Sequence, residues 1–71
     1  MTRYAIVVEK GVDSYGAYVP DLPGCVAAAK TRGEALKLIR EAIELHIDGM
    51  REEGLRIPEP SSTAEYVEVT A

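Results

Sequence analysis

Apolar and polar positions alternate along the first third of the chain and then switch to helical spacing. Over residues 3–10, Tyr4, Ile6 and Val8 fall on one side of an extended chain, with Arg3, Ala5, Val7 and Glu9 on the other. Three consecutive β-branched residues, Ile6 to Val8, make this a strand. Gly11, Asp13 and Ser14 mark a hairpin loop in which Gly11 can take a positive φ. Residues 15–19 supply a second strand, ended by Pro20, which has no amide hydrogen to give a ladder. Leu22-Pro23-Gly24-Cys25 fits a type II turn, with Pro and Gly at its two central positions. A third strand at 26–30 follows from position alone, because Ala27, Ala28 and Ala29 are weak strand formers.

At Thr31 the period changes. Ala35, Leu36, Ile39, Ala42, Ile43, His46 and Met50 recur at three- and four-residue steps, the signature of a helix with one apolar face. Thr31 and Glu34 form a capping box at its start, and Gly54 occupies the left-handed position past its end. The spacing predicts a helix over 32–53, roughly 33 Å long. Ile57-Pro58-Glu59-Pro60 must be extended, since proline disfavours helix at the residue before it. Residues 65–70 alternate again and predict a half-exposed strand with Val67 and Val69 inward. The fold class is therefore α+β in the order β-β-β-α-β. A three-stranded antiparallel meander carries one helix on one face, and a fourth strand returns parallel to the first, giving the sheet order 3-2-1-4.

With 71 residues the chain has room for a single domain, 1–71, and none for a separate C-terminal DNA-binding domain. A domain this small buries a modest core, which favours homo-oligomers such as a dimer or tetramer. The small side chains of Ala27 and Ala29, together with His46, are the expected oligomer contacts. A net charge of −4 disfavours direct binding to DNA or RNA and suits a basic protein partner. The single Cys25 excludes an internal disulfide and fits a reducing, cytoplasmic setting. The apolar run from Tyr4 to Val8 is too short for a signal peptide or a membrane span.

Reactive chemistry is sparse. His46 is the sole imidazole and sits in the apolar stripe, where a core or subunit-contact role outweighs a catalytic one. No Cys/His pair has zinc-ligand spacing, the glycines form no phosphate cradle, and no cofactor is expected. The meander, helix and return strand resemble the front half of the ribonuclease H fold, whose nucleases hold metal between inward carboxylates. Here Ala5, Ile6 and Val7 occupy the middle of the first strand. Only Glu9 and the helix carboxylates remain for a reduced Mg²⁺-dependent nuclease, which stands as an alternative. A structural or small-ligand-binding oligomer is a further alternative.

Val19-Pro-Asp-Leu-Pro-Gly-Cys25, the Thr31-Arg-Gly-Glu34 helix start, Glu41-Ala-Ile43 and Gly54-Leu-Arg-Ile-Pro-Glu-Pro60 together resemble the HicB-like antitoxins. The resemblance runs from Tyr4 to Val69. It implies a partial ribonuclease H-like fold without nuclease activity. It further implies a partner, a small basic HicA-like toxin that cleaves messenger RNA and is neutralised on binding. Many such proteins carry a C-terminal DNA-binding segment, which residues 1–71 do not supply. The expected partner contacts are Tyr18, Asp21 and Leu22 at the second strand and its turn, and Glu41, Glu44 and Asp48 on the helix.

Overall fold

A computed structural model describes residues 2–70. Strands β1 (Val7–Lys10), β2 (Tyr15–Tyr18) and β3 (Val26–Ala29) precede one helix, α1 (Arg32–Glu52). The strands form an antiparallel sheet in the order β1-β2-β3. Val7 lies opposite Tyr18 and Lys10 opposite Tyr15, while Tyr15 pairs with Ala29 and Tyr18 with Val26. The β1–β2 loop closes through the Gly11 amide donating to the Ser14 carbonyl at 2.7 Å, without the positive φ expected at Gly11.

The turn after β2 is fixed twice over. Leu22 N–H donates to Val19 O at 3.1 Å, and Cys25 N–H donates to Leu22 O at 3.1 Å. Gly24 has φ +83°, as the third position of a type II turn requires. Val19 N–H then reaches Cys25 O at 3.2 Å and prolongs the β2–β3 ladder by one pair, up to Pro20. These bonds swing Val19, Leu22 and Cys25 inward, so the turn is part of the core rather than a surface excursion.

Helix α1 crosses one face of the sheet. Thr31 Oγ1 accepts from the Glu34 amide at 3.1 Å. The reciprocal bond from the Glu34 carboxylate is not formed among the described residues, so the cap is one-sided. At the other end Gly54 (φ +70°) makes the paired bonds of a Schellman motif, Gly54 N–H to Arg51 O and Leu55 N–H to Met50 O. Ala35 and Ile39 are fully buried against Ala17, Val19, Leu22 and Cys25, with Tyr4, Ile6, Val8, Tyr15, Ala27, Ala29, Ala42 and Ile43 packed around them. The small residues of β3 thus let the chain's own helix approach closely.

The sequence expectation fails at the fourth strand. Among the described residues, 65–70 join no sheet and make no backbone hydrogen bond to one. The order 3-2-1-4 reduces to β1-β2-β3. Val67 and Val69, expected inward, are 80% and 77% exposed. Just upstream, bonds to Tyr4 and Asp21 hold residues 58–62, and among the described residues their backbone makes no bond to the β1 edge. The first strand is likewise shorter than its pattern: residues 3–6 keep the alternation but have no ladder partner.

Candidate functional site

Asp21 is the electrostatic focus of the surface. Its Oδ2 accepts from the amides of Ser61 (2.9 Å) and Ser62 (3.0 Å), and its Oδ1 from their hydroxyls at 3.0 and 2.8 Å. The Ser62 amide first, then the Ser61 amide, hold the carboxyl well below its ordinary range, down to about 2. Tyr4 adds a second tie, its hydroxyl donating to Pro58 O at 2.5 Å. Asp21, expected to face a partner, therefore clasps the chain's own tail. No spacing rule links Asp21 to serines forty positions away, so the clasp had no sequence signal beyond two adjacent hydroxyls after a Pro-rich stretch.

The other expected contacts divide between two faces. Leu22 is fully buried and plugs the core, so it is withdrawn from any contact surface. Tyr18 is 40% exposed and alternates with inward Ala17 and Val19, which turns it to the sheet face opposite α1. There it sits in a cross-strand row with Val7 and Val26. Glu41, Glu44 and Asp48 lie exposed on the outer side of α1. A flat partner cannot cover Tyr18 and these carboxylates at once.

On the helix, Leu38, Glu41, Leu45, Asp48 and Glu52 follow one another at steps of three and four residues and define a single exposed stripe. Leu38 and Leu45 are 41% and 74% exposed, apolar surface alternating with acid. Glu44 flanks the stripe, on the side where Arg51 approaches Asp48 at 3.9 Å, a solvent-exposed pair of small energetic weight. The two leucines were missed as surface features, although the helical period carries them.

Ala27 and Ala29, expected at an oligomer contact, pack beneath the chain's own helix, and Val26 and Ala28 are the exposed members of β3. His46 is half-buried beyond the sheet, in a shallow groove with Leu45, Gly49, Met50, Glu53 and Leu55. Glu9 is exposed on the sheet face away from α1, across from Gly16, so strand and helix carboxylates do not converge. Among the described residues no three His, Cys, Asp or Glu side chains gather as a metal site would require. Cys25 is buried, and desolvation raises its pKa. No helix of the described residues is long and apolar enough to cross a membrane.

The arrangement is a small α+β domain with an acidic and apolar helix flank, in which the described residues bring no metal-ligating cluster together. Residues 4–70 match the HicB_like antitoxin of bacterial toxin-antitoxin systems, and the chain belongs to that family. It is 41% identical over 64 residues to a 14.9 kDa protein of Haemophilus phage HP1, covering 90% of this chain and 48% of that protein. It is 33% identical over 70 residues to Antitoxin HicB 2 of Photorhabdus laumondii, covering 97% of this chain and 50% of that protein. The chain thus spans about half the length of these two relatives. Among solved structures it superposes on a chain of the HicA3 and HicB3 toxin-antitoxin complex with a TM-score of 0.71 and 33% identity, over 84% of this chain and 70% of that one.

Proposed function

We propose that this domain is a non-catalytic antitoxin that binds a small basic HicA-like toxin and blocks its cleavage of messenger RNA. The observation that carries this reading is the likeness to a chain of a solved toxin-antitoxin complex, at an identity high enough to extend beyond fold. In this role residues 1–71 work as one domain in the cytoplasm, without contacting operator DNA themselves, which an acidic net charge of −4 disfavours.

The docking face is the outer stripe of α1. Glu41 and Asp48, with Glu44 beside them, supply negative potential that speeds encounter with a basic surface. Leu38 and Leu45 supply the apolar contact that carbon-rich arginine and lysine stems complement. Tyr18 faces the other way and is not part of this contact.

Titration of the domain with a HicA-like toxin tests the reading. The expected result is a one-to-one complex at micromolar concentration or below, with loss of messenger RNA cleavage. Glu41→Lys with Asp48→Lys should weaken it by at least about tenfold, with the larger part in the association rate. Absence of a complex at micromolar concentration, or a complex that leaves cleavage intact, overturns the proposal.

A further inference from the structure

The segment 65–70 has the composition of a strand and no strand to pair with. Its side chains alternate, Tyr66 is 98% exposed, and Val67 and Val69 are nearly as open. Immediately upstream the chain is tied down at Pro58, Ser61 and Ser62. The arm therefore leaves the domain from a fixed root rather than from a floppy linker.

The sheet offers a matching vacancy. β1 is bonded to β2 on one side only, so its other edge presents unpaired backbone groups. Residues 3–6 extend that edge with Tyr4, Ile6 and Val8 already turned to the core. Between this edge and the root of the arm lies a groove of about 490 Å³, walled by Arg3, Tyr4 and Ala5 on one side and by 60–64 on the other. No backbone bond spans it among the described residues. The root of the arm, held by Asp21 and Tyr4, forms the outer wall of the groove and makes no backbone bond to the β1 edge among the described residues. The space remains open to a strand from elsewhere.

We propose that this groove receives residues 65–70 of a second copy of the chain, and that the second copy receives this arm in return. Reciprocal exchange forms a two-fold symmetric dimer in which each β1 gains its fourth strand in trans. The pairing follows the pleat: Val67 and Val69 continue the inward row of Ile6 and Val8, and Tyr66 and Glu68 face outward beside Val7. Arg3, on the outward row of β1 with Val7, shares that face with Glu68 of the incoming arm. The exchange involves copies of this chain alone, whether or not a toxin is its partner.

The test mixes two single-cysteine variants of the full chain, isotope-labelled Arg3→Cys and unlabelled Val67→Cys, with a short bismaleimide linker. Cys25 is left in place because it is buried. The expected major product has the mass of one labelled plus one unlabelled chain, and sedimentation of the unmodified protein shows a dimer. Val67→Asp with Val69→Asp should weaken that dimer at least tenfold while the far-ultraviolet spectrum of the monomer is unchanged. A strict monomer at hundreds of micromolar overturns the proposal. So does a dimer that survives the double aspartate variant, or a doubly substituted Arg3→Cys/Val67→Cys chain that links only to itself.

Discussion

The turn at 19–25 and the arm at 63–70 are similar in length, and their order is the reverse of their propensities. The turn holds two prolines and a glycine, residues that neither helix nor sheet interior favours, yet Val19, Leu22 and Cys25 are among the most buried side chains of the molecule. The arm sets Val67 and Val69 on one side and Tyr66 and Glu68 on the other, a strand pattern, and is exposed throughout. Fixing a backbone costs roughly 1–2 kcal/mol per residue, and only satisfied hydrogen bonds and buried carbon offset it. The turn finds both within its own seven residues and the helix beside it. The arm needs a neighbouring strand edge, and among the described residues it is bonded to none.

Substitutions that attack the turn should cost most. Leu22→Ala removes a fully buried side chain from a small core, and a loss of about 2–5 kcal/mol is expected in chemical denaturation followed by circular dichroism. Gly24→Ala meets no neighbouring atom, so its cost comes from placing a side chain at φ +83°, about 1–2 kcal/mol by the same measurement.

The clasp joins the two regions and gives a pH-dependent link between them. The carboxyl of Asp21 titrates at about 2 in the folded chain against an ordinary 3.8, so its contribution is complete above the ordinary value and is lost as pH falls through about 2. Protection of the Ser61 and Ser62 amide protons, relative to their intrinsic exchange rates, should fall across that interval, and Asp21→Ala should remove both the protection and its acid transition. The smallest effect belongs to the arm. Val67→Ser and Val69→Ser should change the stability of the isolated monomer by less than about 0.5 kcal/mol, since neither side chain is packed. An unfolding midpoint that moved as far as for Leu22→Ala would show the arm to be part of the core and dissolve the contrast.

Local chemistry was legible wherever cause and effect lay within a few residues. The type II turn at Gly24, the Thr31 cap and the helix end at Gly54 each follow from backbone rules spanning four to six positions. The apolar stripe of α1 identified Ala35, Ile39, Ala42 and Ile43 as core, because helical period and burial coincide there. Legibility failed where a contact joined distant segments. Leu22 reads as an exposed turn residue until Ile39 is known to lie against it. Ala27 and Ala29 read as an intersubunit contact until α1 is seen to lie over them. Asp21 reads as a free surface acid until the tail returns to it, and the period-two signal at 65–70 specifies a strand without specifying whose sheet it joins.

The lone sulfur at position 25 has a practical consequence. It sits in the tightest part of the molecule, 3% exposed, with its ionisation suppressed by its surroundings. An alkylating reagent can reach it only when the hub of the fold springs apart, so the rate of adduct formation is a clock for that opening, supplied by the protein without any added label.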